Sequence, residues 1–318
     1  MEADKNFLKE IIGGRIPQKD SMLYTIAPHA GKGTMLSFQV MPGVEVIYND
    51  FELLCPVNKV LQLNVDCIEI TYCRHGHIEI EFANHKYAYL MAGDLSLFGY
   101  RTDVVSCDFS AKPCVGITVM AYLPDVIRSM NIMLGTNEFS SAYFLKNVFT
   151  ADTCIVSHAT QSVDHIFKEL FVLPDTYKNY FMKTKVIELL LYLMQGTDYK
   201  ENEKVYFSKS SVDKIKAARR LVLQNLDKHI TLQKISQTVG MNRTDLEKGF
   251  KSIYGSTVFA YSKAYKLQKA KELLWDTDLS ILEVALSCGY GSGSKFAKAF
   301  QDVYGMSPLQ YRQSHPEK

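Results

Sequence analysis

Near the C-terminus of this 318-residue chain, two short stretches carry side chains that could hydrogen-bond nucleic acid. Taken as helices, the first turns Arg243, Thr244, Glu247, Lys248 and Lys251 outward and buries Leu246 and Phe250. The second shows Ser292, Ser294, Lys295, Ala297, Lys298 and Gln301 and buries Phe296 and Phe300. Arg, Lys and Gln bond base edges or phosphates, and the methyls of Thr and Ala can touch thymine. A helix does this only if other elements hold it across a major groove with its polar side free.

The surrounding residues predict those elements. The pattern from Thr231 to Gly255 recurs from Ser280 to Gly305. Leu232, Ile235, Val239 and Gly240 match Ile281, Val284, Cys288 and Gly289 at an offset of 49. Leu246, Phe250, Tyr254 and Gly255 match Phe296, Phe300, Tyr304 and Gly305 at 50, so one residue has entered the second turn. Each copy reads as a short helix stopped by a glycine, then a second helix capped by Asn242 or Ser292: a helix-turn-helix, twice. Val258 to Trp275 reads as one helix of about 27 Å joining the copies. It would hold the outward helices roughly one duplex turn, about 34 Å, apart. Tyr254-Gly255 and Tyr304-Gly305, followed by Thr257 and by Ser307-Pro308, are helix stops and restarts.

Charge agrees with this division. Residues 209–318 hold 18 Lys+Arg against 10 Asp+Glu, net +8, whereas residues 1–208 hold 18 against 24, net −6. The overall +2 is a cancellation, and the basic half suits a polyanion. The acidic half predicts only modest nonspecific affinity for DNA.

The run from about Ile215 to Arg312 resembles the DNA-binding domain of the AraC/XylS family of bacterial transcription regulators. The resemblance rests on Ile281-Leu-Glu-Val-Ala-Leu-Ser-Cys-Gly-Tyr290, Phe296, Phe300, Tyr304-Gly-Met-Ser-Pro308 and Tyr311-Arg312, and covers about a third of the chain. It implies specific contacts near Thr244 and Lys248 from the first outward helix, and near Gly293, Ser294 and Lys298 from the second. Three features depart from the family pattern. Gly249 lies inside the first outward helix, at a cost of up to about 1 kcal/mol relative to alanine. Lys266 stands where the linking helix usually has arginine. Gly291-Ser-Gly-Ser294 lacks larger polar side chains, which shifts the second copy's base readout toward Lys295 and Lys298.

In the N-terminal half, runs rich in β-branched and aromatic residues recur between turn signals: Leu36–Met41, Val44–Tyr48, Ile68–Tyr72, Ile78–Phe82, Lys86–Leu90, Leu95–Phe98, Val104–Phe109 and Val115–Tyr122. They predict an antiparallel barrel or sandwich with a hairpin turning at Asn84-His85. After Pro124 the pattern becomes helical, and Ile187 to Met194 is apolar most of the way round, so it is buried by something. This half resembles the cupin-like sensing domains of the same family, which implies a small-molecule effector. An aromatic barrel mouth would draw on Phe38, Tyr48, Tyr72, Tyr89, Phe98, Tyr100, Phe109 and Tyr122. Phe181 to Met194 resembles a family dimerisation element, which implies a homodimer, with internal packing or a dimer through the barrel left open.

Other chemistry finds less support. His75-x-His77-x3-Glu81 imitates the metal-ligand spacing of cupin enzymes, but His75-Gly76 falls at a turn, so the histidines sit at a hairpin rim and no metal or cofactor is expected. Seven scattered cysteines without a C-x-x-C pair predict neither a disulfide framework nor structural zinc, nor the clustered cysteine site of a DNA alkyl-transfer protein. A hydrophobic fraction of 47% without an apolar run near 20 residues argues against a membrane protein. The mixed-charge start Met1-Glu-Ala-Asp-Lys argues against a secretory signal, so a cytoplasmic location is expected.

The predicted class is therefore α+β: an N-terminal antiparallel, cupin-like β-barrel over residues 1–125, a helical dimerisation or linker region over 126–208, and an all-α double helix-turn-helix DNA-binding domain over 209–318. The expected function is a sequence-specific transcription regulator, an effector-responsive activator and not an enzyme. Its expected partners are double-stranded DNA, a small-molecule effector, a second copy of itself and, for an activator, RNA polymerase. The competing expectation is a cupin-type metalloenzyme domain carrying a DNA-binding tail. Effector, operator and sign of regulation are left open.

Overall fold

In the computed structural model, which describes residues 11–58, 67–99, 104–109, 113–148, 154–195, 206–226 and 230–314, the alternating stretches of the N-terminal half form two antiparallel sheets. The larger holds, in spatial order, β1 (Ile12–Pro17), β2 (Met22–Ile26), β3 (Gly31–Met41), β4 (Val44–Leu53), β11 (Cys114–Tyr122), β6 (Cys67–His75), β9 (Asp94–Phe98) and β12 (Cys154–His158). The smaller holds β13 (Phe207–Ser208), β8 (Lys86–Met91), β7 (His77–Phe82), β10 (Val104–Asp108) and β5 (Val57–Asn58). Among the described residues no ladder closes the two into one barrel. The chain divides at Ser208/Lys209 into two units.

Because strand side chains alternate between faces, the larger sheet covers two cores. Val44, Val46, Ile68, Ile70, Leu97 and Val119 pack under helices α1 (Leu123–Leu134), α2 (Ser141–Val148), α3 (Gln161–Leu170) and α4 (Lys178–Gln195). Met35, Ile47, Phe51, Leu53 and Cys73 face the other way and meet Ile78, Ile80, Leu90 and Val104 of the smaller sheet. The unit is thus layered as helices, large sheet, small sheet.

Three sequence expectations change. Strands β1 and β2 precede the predicted start at Leu36. The Gly13-Gly14 pair in β1 breaks the alternation, and a Cβ at either would come within 2.9 Å of Ala27 Cα or Thr25 Oγ1. The region after Pro124 is not helical throughout, since β12 returns to the edge of the large sheet beside β9. Three of the proposed pocket aromatics face the helices instead. Tyr48 donates to the Leu170 carbonyl at 2.7 Å, Phe38 packs in the same core, and Tyr72 stacks on Phe167 and donates to Asp164 at 2.6 Å. Tyr89 donates to Glu79 at 2.8 Å and stacks on His77, Phe98 and Phe109 lie in the inter-sheet core, Tyr122 is half-buried, and Tyr100 lies outside the described residues. Of the readings left open for α4, internal packing is observed: it buries Met182, Val186, Leu189, Leu190 and Leu193 within its own unit and leaves Tyr180, Phe181 and Tyr192 exposed.

The second unit is helical: α5 (Lys209–Gln224), α6 (Leu232–Val239), α7 (Arg243–Tyr254), α8 (Val258–Asp276), α9 (Ile281–Ser287), α10 (Gly293–Tyr304) and α11 (Pro308–Gln313). Among the described residues no helix is long and apolar enough to cross a membrane.

Candidate nucleic-acid interface

The two outward helices are α7 and α10, and local rules set where each begins and ends. Asn242 accepts from the Asp245 amide at 2.8 Å, and Ser292 accepts from the Lys295 amide at 3.3 Å. The preceding helices stop at Gly240 and Gly289, with φ of 64° and 69°, and the outward helices stop at Gly255 and Gly305, with φ of 73° and 74°. These left-handed stops suit glycine. Helix α7 buries Leu246, Phe250 and Ile253, and α10 buries Phe296, Ala299 and Phe300.

The repeat reaches further than the motif. Helices α5 and α8 correspond at an offset of 52, so Ile215, Ala218 and Val222 of α5 are buried where Leu267, Ala270 and Leu274 of α8 are buried. Lys214 donates to the Gly240 carbonyl at 3.0 Å, and Lys266 donates to the Gly289 carbonyl at 3.3 Å. Each lysine thereby satisfies a carbonyl beyond a helix end, where positive charge is also favoured. Arg219 lies over the Tyr254 and Tyr261 rings at 5.6 and 5.8 Å; Lys271 lies over Tyr304 and Tyr311 at 5.6 and 5.7 Å. Phe250 and Phe300 pack beneath these tyrosine pairs, at 4.7 Å from Tyr254 and 4.5 Å from Tyr304. Helix α8 closes the first copy and opens the second.

With their inner sides packed in this way, the helices present their remaining side chains to solvent. Arg243, Thr244, Glu247, Lys248 and Lys251 are exposed on α7, and Arg243 lies 3.6 Å from Glu247 one turn on. On α10, Ser294, Lys295, Lys298 and Gln301 are exposed, while Ser292, Gly293 and Ala297 are half-buried. Gly249 is buried on the inner side of α7, opposite in the repeat to buried Ala299, so it is a packing position and takes nothing from the outward face.

A helix-turn-helix domain model matches residues 235–314. Over 90 residues the chain is 40% identical to the xylose operon regulatory protein of Escherichia coli strain K12, covering 28% of this chain and 23% of that one. Over 103 residues it is 32% identical to the HTH-type transcriptional regulator ArgR of Pseudomonas aeruginosa, covering 32% and 31%. Residues 235–314 are an AraC-type helix-turn-helix domain. The similarity spans about a quarter to a third of the length of these relatives. Among solved structures, the C-terminal domain of AraT, a response regulator from Geobacillus stearothermophilus, is 26% identical with a TM-score of 0.32, covering 33% of this chain and 88% of that one.

The helical unit uses two of its basic side chains for its own construction. Lys266, a departure from the family pattern, ties the second turn, and Lys214 ties the first. Arg219, outside the motif, donates to the Tyr261 hydroxyl at 2.6 Å. The offset of 52 between α5 and α8 was the sequence signal for all three, and it is weak because a single helix belongs to both copies.

The histidine and carboxylate constellation of the first unit is not assembled. His75 is exposed at the end of β6, Gly76 turns the chain with φ 111°, and His77 stacks on Tyr89 at 5.5 Å. Glu81 accepts from Tyr87 at 2.6 Å and from Ser106 at 3.3 Å. Among the described residues no group of three or more His, Cys, Asp or Glu side chains is placed to hold a metal.

Proposed function

We propose that this chain is a sequence-specific, DNA-binding transcription regulator whose two outward helices enter successive major grooves. The observation that carries the proposal is the duplicated clamp: each copy fixes its second helix through a buried phenylalanine, a tyrosine pair and a cation, leaving a polar, lysine-bearing face free. In this reading Arg243, Thr244, Glu247, Lys248 and Lys251 meet one groove, and Ser292, Gly293, Ser294, Lys295 and Lys298 meet the next. Lys248 and Lys298 occupy the same place in the repeat and carry the strongest contacts.

The acidic unit, residues 1–208, supplies regulation in this proposal: a cupin-like sensing fold for a small-molecule effector, and a homodimer formed in the cytoplasm through the exposed side of α4 at Tyr180, Phe181 and Tyr192. Activation through RNA polymerase belongs to the same proposal. The test is a genomic binding selection with the full chain, followed by affinity measurements on the selected site at several salt concentrations. A preferred site bound at least a thousandfold, on the order of 4 kcal/mol, above random duplex is expected. Binding without a preferred site, lost steeply with salt, overturns the proposal.

A further inference from the structure

The two helix-turn-helix copies do not share the charge of their unit equally. Residues 220–244 hold Arg220, Lys228, Lys234 and Arg243 against Asp227, net +3. The stretch that matches them in the repeat, residues 272–294, holds Glu272, Asp276, Asp278 and Glu283 with no lysine or arginine, net −4. Each stretch ends in the first turn of an outward helix, so the contrast lies mainly in the first helix of each copy and the residues flanking it.

Both first helices bury the same side: Ile235 and Ser236 on α6, and Val284 and Ala285, which match them, on α9. What they expose differs. Gln233, Lys234 and Gln237 are exposed on α6, and Leu282, Glu283 and Leu286 are exposed at the same places on α9. At 3.6 residues per turn, these three positions fall within one arc of about 100°. Leu282 locates that arc, because its Cδ1 lies 3.8 Å from where a Cβ on Gly293 would stand. The arc therefore adjoins the first turn of α10 and, by the repeat, Gln233 adjoins the first turn of α7. In a docked helix-turn-helix the first residues of the second helix reach base edges while the first helix crosses the backbone. An ammonium or side-chain amide at that place donates to phosphate oxygens, and the ammonium releases counterions. Leucine has nothing to donate. The Glu283 carboxylate repels phosphate and already accepts from the Ser280 amide at 2.7 Å.

We infer that α6 holds the DNA backbone through Gln233, Lys234 and Gln237 and that α9 holds no phosphate, so copy one anchors the chain on DNA. The inference rests on the proposal that both outward helices enter grooves. It adds which copy carries the sequence-independent part of binding, and it brings into the interface three side chains outside the outward helices.

The experiment measures affinity of the full chain for the selected site and for a random duplex of equal length, from about 50 to 200 mM salt, and maps phosphate contacts by ethylation interference. Lys234→Ala is expected to weaken both duplexes by the same factor, on the order of three- to tenfold, and to lower the salt slope by about 1. Gln233→Glu combined with Gln237→Glu should weaken both by about tenfold or more. These positions are exposed, so thermal unfolding of the helical unit should stay within about 2 °C of the parent. Leu282→Ala combined with Leu286→Ala should leave the salt slope unchanged. Phosphates whose ethylation blocks binding should crowd the half of the site where Lys248→Ala relaxes the base preference. An unchanged slope in Lys234→Ala, a lowered slope in the leucine pair, or blocking phosphates spread evenly over both halves overturns the inference, while a preferred site keeps the chain a sequence-specific reader. Absence of a preferred site overturns that reading instead, and a slope still lowered by Lys234→Ala then keeps the anchor.

Discussion

Residue for residue, the two helix-turn-helix copies share their inner parts: Ile215 with Leu267, Ala218 with Ala270, Lys214 with Lys266, Phe250 with Phe300, Tyr254 with Tyr304, and Tyr261 with Tyr311. Their outward faces share almost nothing. Arg243 corresponds to Gly293, Thr244 to Ser294, Glu247 to Ala297 and Lys251 to Gln301, and Lys248 with Lys298 is the repeated basic pair. Buried positions in such a repeat answer to one packing problem, which has one good solution. Exposed positions answer to whatever each copy touches, and unlike faces mean unlike targets. The scaffold is duplicated and the reader is not.

The sharpest test of the shared scaffold is Phe250→Ala against Phe300→Ala. Both rings are fully buried beneath a tyrosine pair. Each substitution is expected to destabilise the helical unit by about 3–5 kcal/mol in denaturant titrations. A difference between them of more than about half that value would mean that one copy is held by something the other lacks.

The unlike readers are tested next. Lys248→Ala and Lys298→Ala are each expected to cost about 1–3 kcal/mol on the preferred site if the ammonium reads a base edge. A lysine on phosphate instead weakens all sequences alike and lowers the salt slope by about 1. Affinity measured on preferred and random duplexes separates the two, and unchanged affinity in both variants removes these lysines from the interface.

How much of this was legible in the sequence follows from what each kind of position obeys. The helix-turn-helix copies were readable because glycine stops, hydroxyl or amide caps and aromatic spacing are local rules, and they occur twice. The partners of Lys214, Lys266 and Arg219 are not legible, since they lie 26, 23 and 42 residues away. In the first unit, alternation located most strands between Val44 and Tyr122, although it ended β4 at Tyr48 instead of Leu53 and missed the two-residue β5. Alternation cannot say which face meets helices and which meets the second sheet, so Phe38, Tyr48 and Tyr72 were expected in a pocket and are found under helices. Strand β12 is five residues within a helical stretch, too short for its period to declare itself.

Smaller effects separate the clamps. Half-buried Arg219 combines two ring faces with a hydrogen bond to Tyr261, whereas exposed Lys271 has, among the described residues, ring faces only. Arg219→Ala is expected to cost about 1–2 kcal/mol and Lys271→Ala about 0.5–1 kcal/mol. Arg219→Lys should recover part of its loss, because an ammonium keeps the charge but not the planar donor set. Equal costs for the two alanine variants would mean that the hydrogen bond contributes nothing.

The smallest expected difference lies at the first helix of each copy and depends on pH. In copy two, Ser280 accepts from the Glu283 amide at 3.2 Å while Glu283 accepts from the Ser280 amide at 2.7 Å. In copy one, Thr231 accepts from the Lys234 amide at 3.2 Å, and a lysine stands where the box has its carboxylate. The hydrogen bonds from Ser280, side chain first and backbone second, hold the Glu283 pKa below its ordinary 4.5. A carboxyl with a depressed folded pKa contributes stability that is present above the unfolded value and is lost as pH falls through the folded one. Acid should therefore loosen the start of α9 before the start of α6. Following the Ser280 and Thr231 amide resonances from about pH 6 to about pH 3 checks this: Ser280 should titrate with a midpoint below 4.5 and Thr231 should not respond to that step. Glu283→Gln keeps the reciprocal bond without the titration, so it should abolish the difference in pH response while leaving the helix capped. If both helices loosen together in that variant and in the parent chain, the loss belongs to the unit as a whole and the two caps are equivalent.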